Sequence, residues 1–213
     1  MSHYLVKVKR YIRKIFSPFY RLRLKSKDFT IISNNCWGGI IYDKLGIQYQ
    51  TPTIGCYFFS NDYIKFISNL KYYLNVDLKQ INFEDSQYKN FIDCNSIIGK
   101  LEDIEIIFVH YTSFNEAYEK WNRRKKRINY RYILIKYSDQ NNFEEKNFTG
   151  FVNLNYKNKF FITTNPKYKQ KGVNTLVLKD NKNIGYAIDD IKPSLRKISI
   201  TKLINSIFDN EEE

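Results

Sequence analysis

With 213 residues, 17% aromatic content and a formal charge of +13, the chain can bury one sizeable core and is too rich in Tyr and Phe for a disordered polypeptide. Its three cysteines, Cys36, Cys56 and Cys94, are odd in number and have no CxxC spacing, which argues against a disulfide framework and a zinc site. No apolar run reaches the ~18 residues of a membrane span, and no uninterrupted signal-peptide core opens the chain, so a reducing cytoplasm is the expected location.

Residues 1–27 hold nine basic side chains (Lys7, Lys9, Arg10, Arg13, Lys14, Arg21, Arg23, Lys25, Lys27) and no acid, leaving 26 basic against 22 acidic residues elsewhere. Tyr4, Leu5, Val8, Tyr11, Ile12, Ile15, Phe16 and Phe19 recur at helical spacing among those cations. Such a segment reads as a basic amphipathic helix attracted to an anionic membrane surface, with Pro18 ending or kinking it. The alternative is a helix docked on the parent domain with a solvated basic face. Because the charge excess is largely terminal and no RNA- or DNA-binding motif accompanies it, a nucleic-acid-binding module is the weakest functional class.

Periodicity then alternates between strand and helix. Residues 28–33 predict a strand, 37–45 a short helix ending near Gly46, and Thr53 to Phe59 a second strand. Ser60 is positioned to cap a helix over 60–74 whose Tyr63, Phe66, Ile67, Leu70, Tyr73 and Leu74 form a core-facing stripe. Val76 to Ile81 reads as a strand, and the polar stretch to about Gly99 has no assignment. Ile104 to Tyr111 predicts a strand, and Ser113-x-x-Glu116 opens a helix over 114–127 as a capping box. Short strands follow at Tyr132 to Tyr137, Lys159 to Thr164 and Thr175 to Leu178, then a helix from Ser194 to Phe208. Alternation of this kind argues for an α/β fold with a mostly parallel, three-layer sheet and flanking helices. The expected organisation is a basic segment over 1–27, one α/β domain over 28–208 and an acidic tail over 209–213.

Parallel sheets bind ligands beyond the carboxyl ends of their strands, which narrows the candidate residues. The first strand ends in Ser33-Asn34-Asn35-Cys36-Trp37-Gly38-Gly39, a polar turn into a helix. Free N–H groups at that helix start could hold an anion or activate Cys36. Equally, the glycines could serve only tight packing, with Cys36 a small buried hydrophobe. His110 and Asp139 also stand at expected strand ends, so Cys36, His110 and Asp139 could act as nucleophile, base and orienting carboxylate. Thr163, Thr164 and Asn165 end another strand. Asp62, Asp139 and Asp43 are alternative bases or metal ligands, but none sits in a DxD pattern, so no metal ligand is assigned and metal dependence stays open.

A second constellation lies on helix 114–127, where Lys120, Arg123, Arg124 and Arg127 fall at i, i+3, i+4 and i+7. Such a stripe could grip a diphosphate, a nucleotide or an anionic glycan. Cations near a helix C-terminus also offset its dipole while remaining solvated.

Phe29 to Gly39, Ser60 to Phe66, Asn69 to Leu74, Gly99 to Leu101 and Trp121 to Ile128 carry a family resemblance. Across residues 28–205 the chain resembles the bacterial family catalogued as domain of unknown function 1919, whose members are often labelled exopolysaccharide biosynthesis proteins. The resemblance implies an α/β fold and a setting in surface-polysaccharide gene clusters, and it carries over no catalytic residues. The expected function is therefore a transferase at the cytoplasmic membrane face, moving an acyl or glycosyl group from an acyl-CoA or nucleotide-linked donor onto an anionic or lipid-linked glycan precursor. A noncatalytic glycan- or partner-binding component of an assembly complex is the alternative. Donor, cofactor and oligomeric state stay open.

Overall fold

The computed structural model describes residues 17–178 and 190–209. The apolar stripe and cations expected over 1–16, and the tail beyond Asp209, lie outside those residues. The described chain opens in helix α1 (residues 17–22), which contains Pro18. Then follow β1 (Thr30–Ser33), α2 (Trp37–Leu45), β2 (Cys56–Tyr57), α3 (Ser60–Ser68), α4 (Leu70–Asn75), β3 (Lys79–Ile81), β4 (Ile97–Leu101) and β5 (Ile104–Phe108). The rest comprises α5 (Phe114–Lys125), β6 (Ile133–Ser138), α6 (Glu145–Asn153), β7 (Lys159–Thr163), β8 (Asn174–Val177), α7 (Ile191–Lys197) and α8 (Ile200–Asp209).

These elements form an α/β fold with two sheets. The first is parallel throughout, in the order β1-β6-β7-β8, with Ser33, Lys136 and Phe160 in one register row. Side chains alternate across it. Ile31, Leu134, Phe160 and Ile162 pack on Trp37, Ile41 and Leu45 of α2 and on Ile191, Leu203, Ile204 and Ile207 of α7 and α8. Ile32, Ile135, Tyr137 and Phe161 face the opposite layer, built from α3 to α6 and the inner side of the second sheet. That second sheet, β2-β5-β4-β3, is antiparallel, and Phe59, Tyr88, Ile98 and Ile107 cover its far side.

The antiparallel sheet differs from the sequence expectation. β4 occupies the end of the unassigned polar stretch, and β2 is only two residues long, because Gly55 adopts φ 69° and Ile54 turns back to hydrogen-bond the Pro52 carbonyl. Ser60 is not the cap of α3. Phe59 takes that position, and the Ser60 hydroxyl donates instead to the Gln140 carbonyl, tying α3 to the end of β6. The expected helix over 60–74 breaks into α3 and α4 at Asn69 (φ −135°, ψ 51°), and the expected C-terminal helix is the pair α7 and α8. Ser113 does cap α5, accepting from the Glu116 N–H, while the Glu116 carboxylate takes the Thr112 N–H at 2.9 Å.

Parallel strands give this sheet two chemically distinct edges. Tyr42, late in α2, donates to the Phe29 carbonyl ahead of β1, and Asn158, ahead of β7, donates to the Ile207 carbonyl of α8. The ends of α2 and α8 therefore lie at the amino edge. The turn after β1, the end of β6 and Asp190 at the start of α7 gather at the carboxyl edge.

Candidate functional site

The carboxyl edge is organised around Lys136. Position 136 shares a face with Leu134 and Ser138, so its side chain enters the layer of α2 and α7, where it is fully buried. The ammonium lies 2.5 Å from Asp190 Oδ2, 3.0 Å from Ser138 Oγ, 3.2 Å from Asn35 Oδ1 and 3.3 Å from Asn34 Oδ1. Asn35 Nδ2 donates to Asp190 Oδ1 (3.0 Å) and to Gln140 Oε1 (3.3 Å), closing the ring of contacts. Burial pulls the Lys136 pKa below its ordinary value, and the Asp190 carboxylate opposes that pull. Gln140 Nε2 is buried without a hydrogen-bond partner among the described residues.

Asp139 sits beside this ring, half-buried. Its Oδ2 accepts from Thr163 Oγ1 at 2.5 Å and from the Thr164 N–H at 3.4 Å, so the ends of β6 and β7 are joined there. Burial raises its pKa, and the Thr163 hydrogen bond offsets part of the rise. Cys36 caps α2 with its Sγ 3.9 Å from the Cys56 carbonyl oxygen, and burial pushes its thiol up to about 11, with Lys136 pulling the other way. At neutral pH this sulfur is a thiol, not a thiolate.

The turn itself is internally satisfied. Asn35 Oδ1 accepts the Trp37 N–H (3.1 Å), Ser33 Oγ accepts the Gly38 N–H (3.2 Å) and the Ser33 hydroxyl donates to the Asn35 carbonyl (2.6 Å). Two of the N–H groups expected to await an anion are thus taken by the preceding residues. Gly38 answers to packing, since a Cβ there would stand 3.1 Å from Ser33 Oγ and 3.2 Å from Ile31 Cγ2. Trp37, a ligand-binding candidate by sequence, is fully buried, packs against Phe160 with the two rings tilted at 43°, and donates its indole N–H to Ser194 Oγ.

The structure brings Ser33, Asn34, Asn35, Cys36 and Asp139 to one edge, and His110 stands in the adjoining antiparallel sheet, bonded to Gly55 beside the Cys56 that Cys36 contacts. His110 follows β5 in the antiparallel sheet, is exposed, and has its backbone N–H on the Gly55 carbonyl. Among the described residues no hydrogen bond links its imidazole to Cys36 or Asp139. The three arginines likewise do not form one open stripe. Arg124 is buried, donates to Tyr111 Oη at 2.7 Å and lies 4.9 Å over the Tyr49 ring. Arg127 donates to the Tyr49 carbonyl, whereas Arg123 is exposed. Loop aromatics from outside the helix take up this face, which helical spacing alone does not reveal.

Lys136, Ser138, Gln140 and Asp190 escaped the sequence reading. Lys136 had a signal, a lysine inside the apolar run Ile133 to Tyr137. Asp190 had none, because its pairing spans 54 residues of chain.

A family model described as "Domain of unknown function (DUF1919)" matches residues 7–202, and the chain belongs to that family. It is also similar to a Haemophilus influenzae protein described as uncharacterized, 32% identical over 144 residues that make up 68% of this chain and 66% of the relative. The chain thus spans just under two thirds of that relative's length. No helix among the described residues is long and apolar enough to cross a membrane.

Proposed function

We propose that this chain is a glycosyl-type transferase of bacterial surface-polysaccharide assembly, with its ligand site at the carboxyl edge of the parallel sheet. The observation that carries the reading is the convergence of Asn34, Asn35, Ser138 and Asp190 on one buried lysine, with Gln140 bonded to Asn35 and the Asp139–Thr163 pair beside them, at the edge where parallel sheets take ligands. The family resemblance supplies the polysaccharide setting. Burial of Cys36 disfavours acyl transfer through its sulfur, and among the described residues no hydrogen bond joins that sulfur to the His110 imidazole. Direct transfer needs no protein nucleophile. An acceptor hydroxyl attacks the anomeric carbon, the bond to the nucleotide diphosphate breaks, and Asp139 takes the hydroxyl proton.

A thermal-shift panel of nucleotide sugars, acyl-CoAs, divalent metals and acidic oligosaccharides tests the proposal, because any ligand that prefers the folded state raises apparent stability. Stabilisation by a nucleotide sugar, reduced in Asp139→Ala, is expected. Stabilisation by acyl-CoA alone would replace it with acyl transfer. Stabilisation by oligosaccharides alone would favour the noncatalytic binding component, a reading the closed Lys136–Asp190 pair also suits.

A further inference from the structure

We propose that α1 and the residues following it form a docking surface for an anionic lipid bilayer at the amino edge of the parallel sheet. Phe19 is 64% exposed and Leu22 84%, with Tyr20 beside them. Their outward position is held by the other side of the same segment. Arg21 donates to the Gly46 carbonyl at 3.0 Å, where Gly46 ends α2 in the left-handed conformation (φ 62°), and a Cβ at position 46 would stand 2.7 Å from Ser17 Oγ. Asn205 of α8 accepts the Lys25 N–H at 2.9 Å and donates to the Arg23 carbonyl at 2.8 Å. Lys25 also pairs with Asp209, and Leu24 packs into the core under α2 and α8. The polar groups and Leu24 are committed to the domain, which leaves Phe19 and Leu22 to water.

Charge selects the occupant. Residues 1–27 contain no acidic side chain, Arg23 and Lys27 are exposed in the same segment as the apolar pair and outnumber the exposed Asp28 that follows them, and Lys126, Arg131 and Lys157 are exposed at the same edge. A nucleic acid would engage those cations and leave Phe19 and Leu22 hydrated. Anionic headgroups meet the cations while the acyl boundary receives the apolar pair, so a bilayer satisfies both. Docking in this way places the polar carboxyl edge on the far side of the sheet, about 13–20 Å away along strands of four to six residues. A ligand of that edge then arrives from solution, as a water-soluble donor does.

Co-sedimentation of the full chain with vesicles of phosphatidylcholine, with and without phosphatidylglycerol, tests the surface without any substrate. Wild type is expected to pellet with the anionic vesicles and to be released by salt. Phe19→Ser with Leu22→Ser should weaken that partition about ten-fold or more at unchanged thermal unfolding, since both side chains already face solvent. Equal partition of the two proteins, no pelleting of wild type, or equal pelleting with phosphatidylcholine alone would overturn the proposal. Leu22→Trp gives a second readout, because Trp37 and Trp121 are buried and contribute a constant background. Its emission should shift to the blue with anionic vesicles, and an unshifted spectrum would overturn the surface as well.

Discussion

Lys136 and Asp190 meet at 2.5 Å where neither side chain reaches solvent, so the start of α7 is bound to the centre of the parallel sheet by a desolvated ion pair. Removing water from two charges is costly, and their attraction compensates only with good geometry and further hydrogen bonds. Asn34, Asn35 and Ser138 supply those bonds.

Lys136→Met should therefore destabilise by about 3–5 kcal/mol, because it strands the Asp190 carboxylate in the core. Lys136→Met combined with Asp190→Leu should cost less than the sum of the two single changes, since no buried charge remains unpaired. Urea unfolding of the three variants measures the coupling. Strict additivity would mean that the two groups do not act as a pair.

Arg124→Ala and Arg123→Ala should part company, although the residues are adjacent. Arg124 loses a hydrogen bond to Tyr111 and its position over the Tyr49 ring, a cost of about 2–3 kcal/mol. Arg123 is exposed, and its removal should stay within about 0.5 kcal/mol. Thermal unfolding of the single variants checks the split. Equal, small effects would restore a shared solvated face.

This contrast shows how far the sequence could be read. Strongly periodic elements stood out: β1, β6 and β7 as apolar β-branched or aromatic runs, α2 between Cys36 and Gly46, and α5 behind the Ser113 cap. α6 did not, because Asn147, Thr149 and Gly150 are poor helix formers and its capping box uses Glu144 and Asn147 in place of the usual pair. The polar turn after β1 was legible and lies at the carboxyl edge of the parallel sheet. Its partners Asp190 and Gln140 were hidden because they meet only through tertiary contacts, and nothing local records such a pairing.

Asp62 should make stability depend on pH. The residue is buried in the first turn of α3, where Oδ2 accepts from the Glu105 N–H at 2.8 Å and from Gln87 Nε2 at 3.1 Å. Burial pushes its pKa from 3.8 up to about 6, against the opposing Glu105 N–H hydrogen bond. The folded state thus binds this proton more tightly than the unfolded chain. The contribution is fully present below about pH 4 and is lost as pH rises through about 6, a change of about 2–3 kcal/mol. Asp62→Asn, which keeps an acceptor for the Glu105 N–H, should remove that component of the slope. Denaturant midpoints of both proteins between pH 4 and 7 measure it, and parallel curves would show that Asp62 is not the group responsible.

The thiols should react in an order set by burial. Cys94 is exposed, Cys36 is half-buried with its pKa pushed up to about 11, and Cys56 is fully buried with desolvation holding its pKa well above the ordinary thiol range. At neutral pH very little of Cys36 carries the thiolate that attacks an alkylating reagent. Iodoacetamide should therefore label Cys94 first and reach Cys36 slowly, with a rate that climbs steadily toward alkaline pH. Peptide mass spectrometry after timed labelling resolves the three sites. The same reasoning makes Cys36→Ser tolerable for nucleotide-sugar binding, whereas Gly38→Val should disturb the turn more. Its added carbons would press on Ser33 Oγ, which is held by hydrogen bonds to Asn35 and Gly38, and on Ile31 in the packed face of β1. Faster labelling of Cys36 than of Cys94 at neutral pH would reverse this assignment. It would reveal an activated thiol at the carboxyl edge and return covalent acyl transfer to the front.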